Sequence, residues 1–232
     1  MTPARLVLFD VDGTLLSARG AGRRALRVAL EAVYGTAGPV DAYDLGGQTD
    51  LRIVLDLMTA AGLSAERVRE ALDDCFERYA RALAEELEAA GGAVALPGVS
   101  ELVPRLAADE RVFLGLVTGN IEEGARLKLA GPGLGPYFRT GAFGSDHADR
   151  RRLPSLAARR VHALLGHAFA PGDVVVVGDT PRDVECGRAF GAQTVAVATG
   201  RHPRAALLAA GADVVLDSFE DVQQALRALG PA

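Results

Sequence analysis

A single lysine, Lys128, stands among 25 basic residues, so nearly all the positive charge is arginine. That scarcity matters wherever the chemistry needs a fixed cation. Cysteine is also scarce. Cys75 and Cys186 are far apart and show no metal-ligand spacing, so two reduced, packed thiols are expected. The four histidines, His147, His162, His167 and His202, show no metal spacing either and read as surface or loop residues. No run approaches the ~18 consecutive apolar residues that suggest a membrane span. The opening MTPARLVLFD lacks a signal-peptide layout, since its short apolar run ends in acid. A cytoplasmic protein with no membrane partner is therefore expected. The net charge of -5 argues against nucleic acid as a partner, yet a small anionic substrate needs only a local positive pocket. No internal repeat or low-complexity tract is present.

What the chain does have is apolar residue, 49% of 232, spread along its length and sufficient for a large core. Leu6–Phe9 is a short apolar run ending in acid and glycine, bounded like a buried parallel strand. Similar runs recur at Val112–Val117, Val174–Val177, Thr194–Val197 and Val214–Leu216, with a weaker one at Thr140–Phe143. Helical patterns separate most of them: Ile121–Ala130, Pro154–Leu165, Arg182–Phe190 and Pro203–Ala210, with a last helix over Phe219–Leu229. Strand alternating with helix predicts a doubly wound, mainly parallel α/β sheet.

Residues 16–95 break the alternation. Arg23–Tyr34 places Leu26, Ala29, Leu30 and Val33 on one helical face, and Gly35 stops it. Asp50 can cap a helix through Met58, and Ser64 a longer one ending at Gly91-Gly92. A helical insert over 16–95, within an α/β core of 1–15 and 96–232, is expected. Pro104 fits poorly in a helix after Ser100, which must start later or kink.

Three polar constellations follow expected strands. In Asp10-Val11-Asp12-Gly13-Thr14, residues two apart in extended chain point the same way, so Asp10 and Asp12 can face one site. Paired carboxylates repel unless a divalent cation, such as Mg2+, lies beside them. Gly13 permits a sharp turn, and Thr14 offers a hydroxyl and an amide to phosphate. In Val117-Thr118-Gly119-Asn120, a hydroxyl and free amides at a strand-to-helix junction can hold phosphate oxygens, or Thr118 or Asn120 can simply cap a helix. In Gly178-Asp179-Thr180-Pro181-Arg182-Asp183, Asp179 and Asp183 can hold a cation, or Asp179 can cap a helix that has Pro181 in its first turn. All three clusters occupy the carboxyl ends of strands, the edge where open α/β sheets bind ligands.

In this order DVDGT, VTGN and GDTPRD resemble three signature motifs of the haloacid dehalogenase-like hydrolase superfamily, with a helical insert where its C1 cap lies. The chain is most similar to the phosphoglycolate phosphatase-like group. Asp183–Ala192 and Val195–Gly200 add to the resemblance. It implies a magnesium-dependent phosphatase acting on a small phosphate ester. Asp10 would be the nucleophile, forming an aspartyl-phosphate, and Asp12 the general acid and base. Thr118, Gly119 and Asn120 would clamp phosphate, near Gly13 and Thr14. Asp10, Asp12, Asp179 and Asp183 would hold the metal.

The family usually supplies a lysine against nucleophile and phosphate. Lys128 lies ten residues beyond Thr118, roughly 15 Å along a helix, and is expected to be out of reach. Asp149-Arg150-Arg151-Arg152-Leu153-Pro154 resembles a family variant with arginine four residues before proline. This points to Arg150, with Arg151 the close alternative and Arg152 behind it. Asp12 argues against a haloacid dehalogenase, and Thr14 leans away from a phosphomutase of the β-phosphoglucomutase type, the main alternative. A receiver-like signalling module would need a late lysine that is missing. Substrate contacts are open to Arg19, Arg23, Arg24 and Arg27, and to the loop Gly46–Asp50 with Arg52.

Overall fold

The computed structural model describes residues 3–231; residues 1–2 and 232, the ends of the expected core, lie outside the described residues. Six strands form one parallel sheet: β1 (Arg5–Phe9), β4 (Val112–Val117), β5 (Gly141–Ala142), β6 (Val174–Gly178), β7 (Gln193–Val197) and β8 (Val214–Leu216). Their spatial order is β5-β4-β1-β6-β7-β8. The expected runs became these strands because helices cover both faces, which favours apolar residues at nearly every strand position. Along β1 the faces alternate. Val7 and Phe9 join one buried cluster with Val175 and Val177, while Leu6 and Leu8 join another with Val174 and Val176.

The helices after the sheet's start are α5 (Val99–Ala107), α6 (Glu122–Ala130), α7 (Leu153–Leu165), α8 (Pro181–Phe190), α9 (Arg204–Ala209) and α10 (Val222–Leu229). Leu102, Leu106, Ala225 and Leu229 of α5 and α10 cover the Phe9 face. Leu153, Ala157 and Val161 of α7 cover the Leu8 face. Pro104 lies inside α5, which starts at Val99 and not later. Its missing N–H would have paired with the carbonyl of Ser100, an exposed residue whose carbonyl water can satisfy. No described helix is long and apolar enough to cross a membrane.

Between β1 and β4 run α1 (Ala21–Tyr34), α2 (Asp50–Ala60), α3 (Ala65–Glu70) and α4 (Leu72–Ala89). They are framed by two-residue antiparallel strands β2 (Leu16–Ser17) and β3 (Val94–Ala95), where the chain leaves and returns. Their apolar faces, with Leu26, Leu30, Met58 and Leu83, continue the cluster that holds Phe9. Two local expectations are corrected. The long helix expected after Ser64 breaks at Ala71, giving α3 and α4. The cap of α2 is Thr49, whose hydroxyl accepts from the Arg52 amide, and Asp50 serves elsewhere.

Candidate active site

Three neighbouring strands of the sheet, β4, β1 and β6, end in Val117, Phe9 and Gly178, and the next residues are Thr118, Asp10 and Asp179. The chain turns outward in opposite directions on the two sides of β1, which opens a crevice at that edge. A cavity of about 490 Å³ lies over it, walled by Asp10, Asp12, Asn120, Lys128, Arg150 and Asp179, and on the other side by α1 and the 45–50 loop.

Asp10 extends β1, its amide donating to the Val177 carbonyl at 2.8 Å. Gly13 sits at φ 81°, and a Cβ there would fall 2.5 Å from the Asp179 carboxylate, so the turn and the close approach both require glycine. The Thr14 hydroxyl donates to Asp179 Oδ1 at 3.1 Å. Thr118 does not cap α6, whose N-cap, Ile121, has no side-chain cap. Instead its Oγ1 accepts from the Asn120 amide nitrogens, backbone at 3.3 Å and side chain at 2.8 Å. Asp179 does not cap α8 either. Thr180 does, in a reciprocal capping box with Asp183.

Arg150 is buried beneath the site. Its Nη2 lies 3.0 Å from Asp10 Oδ1 and donates to Asp183 Oδ1 at 2.5 Å. Its Nε is buried with no partner among the described residues. Asp183 Oδ2 accepts from the amide and hydroxyl of Thr180. Arg151 is 65% exposed, paired with Asp149 and absent from the cavity wall, so the expected substrate contact at Arg151 has no geometric basis. Arg152 is exposed too.

Lys128 overturns the reach argument. Its Nζ donates to Asp12 Oδ2 at 2.6 Å and to Asn120 Oδ1 at 2.5 Å. The 15 Å estimate assumed one helix from Thr118, whereas α6 starts only at Glu122 after a turn. The signal was available: with Gly124, Ala125 and Leu129, Lys128 occupies the helix's buried face. Asp50 was also misread. Its carboxylate accepts from the Ile121 amide at 2.7 Å, and its own amide donates to the Gly119 carbonyl at 2.7 Å. Gly119 and the carbonyl of Gln48 are so close that a Cβ would overlap it, at 1.9 Å. His202 and Tyr79 also face the cavity. Of the arginines expected near substrate, Arg24, Arg27 and Arg52 are paired with Glu86, Asp41 and Asp56. Arg19 and Arg23 line the cavity, but Arg23 donates to the Val40 and Tyr43 carbonyls.

The electrostatics follow from burial. Burial pushes Asp10 up to about 6, with Arg150 partly offsetting and Asp183 and Asp12 adding to it. Burial and then the charges of Asp183 and Asp10 push Asp179 up to about 8. Burial works against the Arg150 charge, but Asp183 and Asp10 outweigh it and raise its pKa. One carboxylate oxygen each of Asp10, Asp179 and Asp183 lies within 4.8 Å of the others. One guanidinium thus faces three buried carboxylates. The charge deficit and the all-oxygen donor set fit a hard divalent cation.

The profile of the haloacid dehalogenase-like hydrolases matches residues 7–188. The chain belongs to that family of hydrolases. It is 28% identical to a phosphoglycolate phosphatase of Synechococcus elongatus over 96% of this chain and 97% of the relative. To one of Rhodospirillum rubrum it is 31% identical, over 93% and 88%. A hydrolase from Pseudomonas syringae shares the fold, with a TM-score of 0.69, 21% identity and coverage of 98% and 99%. Within the family the chain therefore falls in the phosphoglycolate phosphatase-like group, as an enzyme of phosphatase type.

Proposed function

We propose that the enzyme hydrolyses small phosphate monoesters with Mg2+, through a phosphorylated Asp10. The observation that carries this reading is the buried contact of Arg150 with Asp10 inside the three-carboxylate cluster. Residues 16–95 act as a cap over a core of 1–15 and 96–232. Asp10, Asp179 and Asp183 would supply oxygens to the metal, with Asp12 adding its backbone carbonyl, and the metal would supply charge neutralisation for the transferring phosphoryl group.

In the first step an Asp10 oxygen attacks phosphorus. The ester P–O bond breaks, its electron pair stays on the leaving oxygen, and Asp12 gives that oxygen a proton. In the second step water attacks phosphorus and gives a proton to Asp12. The Asp10–phosphorus bond breaks, and inorganic phosphate leaves. Arg150, with an unpartnered Nε, supports Asp10 and the phosphoryl oxygens. The Thr118 hydroxyl and the Gly119 amide hold the phosphate on the opposite side; Asn120, expected to join them, has its donors taken by Asp12 and Thr118.

Phosphoglycolate is the first substrate to test, because the relatives of R. rubrum and S. elongatus carry that name. The experiment is a phosphate-release screen over small phosphate esters, with Mg2+ and with chelator. Release is expected only with metal, and Asp10→Asn should lower it by about 10⁴-fold or more while the protein stays folded. Near-normal release by Asp10→Asn would overturn the mechanism. Isomerisation of a sugar phosphate without release would make the enzyme a mutase.

A further inference from the structure

Lys128 is 3% exposed, and burying an ammonium is costly unless it is well paired. Its partners form a closed ring. Lys128 Nζ donates to Asp12 Oδ2 and to Asn120 Oδ1, and Asn120 Nδ2 donates to the same Asp12 Oδ2 at 2.8 Å. Asn120 is itself anchored to Thr118. Two donors therefore converge on one oxygen of Asp12, while Oδ1 receives none from the described residues. The Asp12 side chain remains 42% exposed, on the cavity wall.

Gly22 of α1 lies beside the ammonium: a Cβ there would be in ordinary contact with Nζ, at 3.4 Å, and with the Tyr79 hydroxyl, at 3.5 Å. Arginine serves at every other basic position, and the one lysine stands here. Arg150 already meets Asp10, so Lys128 is a second cation with a separate partner.

We propose that Lys128 is a positioning residue for proton transfer at Asp12. With Asn120 it pins Oδ2, leaving Oδ1 toward the leaving oxygen in the first step and toward water in the second. The inference rests on the reading of Asp12 as proton donor and acceptor. It makes Lys128 act through Asp12 and not on substrate.

Leaving-group dependence tests it. p-Nitrophenolate departs with little need of a proton, whereas an alkoxide needs one. kcat and KM are measured for p-nitrophenyl phosphate and for 2-phosphoglycolate or another alkyl phosphate from the screen. The proteins are wild type, Lys128→Met and Asp12→Asn. Lys128→Met should lower kcat/KM, which reports only the steps through departure of the leaving group, by about 10²-fold on the alkyl ester, with a several-fold smaller loss on the aryl ester. Equal losses of kcat/KM on both esters, or unchanged kinetics, would each overturn the proposal. If Lys128→Met does not fold, Lys128→Gln, which is also uncharged, gives the same comparison. Asp12→Asn separates the two readings. If it shows no leaving-group selectivity, the assignment of Asp12 fails and carries this proposal with it. If it is selective and the Lys128 variant is not, only this proposal fails.

Discussion

At the scale of single residues, burial turns ordinary carboxylates into titrating groups. Asp50 is the clearest, because it stands apart from the proposed metal ligands. Burial pushes it up to about 6 from 3.8, with Lys128 and the Ile121 amide only partly offsetting. The folded protein therefore holds a proton on Asp50 that the unfolded chain has lost between about pH 4 and 6. Its contribution to stability is full below about pH 4 and is lost as pH rises through about 6. The loss amounts to as much as ~3 kcal/mol. Asp50→Asn keeps an oxygen for the Ile121 amide and should remove this component. Urea unfolding of both proteins from pH 4 to 7 should show a shallower decline for the variant; parallel curves would contradict the argument. The residue was legible only as a helix cap or as part of a substrate-facing loop. Nothing local distinguishes a carboxylate that caps its own helix from one that reaches a loop 71 residues away.

At the scale of elements, strand ends and helix starts position the chemistry, and these were the most legible features. The apolar runs of β1, β4 and β6 stop where polar residues begin, because the sheet buries both faces up to that edge. Helix α8 does more than follow its strand. Thr180 caps it while accepting from and donating to Asp183, so the cap also aims that carboxylate. Thr180→Ala should cost about 1 kcal/mol in denaturant stability and weaken Mg2+ binding in a direct titration. Unchanged Mg2+ affinity would separate the cap from the metal site. Helix α6 was legible as a helix and misread in its reach. The error lay in extending it back to Thr118, when the Gly119–Ile121 turn re-aims its axis and brings Lys128 to Asp12.

At the scale of the whole molecule, charge balance is the dominant feature of the site. Asp10 and Asp183 pair with one guanidinium beside Asp179, and a cation bound only by the folded state stabilises it by mass action. Mg2+ at about a hundredfold over its Kd should add roughly 2.7 kcal/mol to chelator-treated protein. The melting temperature should rise with metal in wild type and stay flat in Asp179→Asn; a rise in both would place the ion elsewhere. The loop at 44–50 meets the core at several points: Arg182 donates to Asp44 and to the Gly46 carbonyl, and Thr49 to the Ala148 carbonyl. These contacts join segments more than a hundred residues apart or nearly so, and no local pattern announces them. By itself the sequence determined the alternation of strand and helix, the helical interruption, and the polar clusters at strand ends, because periodicity and strand termini are local properties. The spacing of Arg150 from Pro154 had already pointed to the cation that meets Asp10. Only the tertiary structure decided that Lys128 meets Asp12, because the direction of α6 brings its side chain there and that direction is not written in the spacing of residues along the chain.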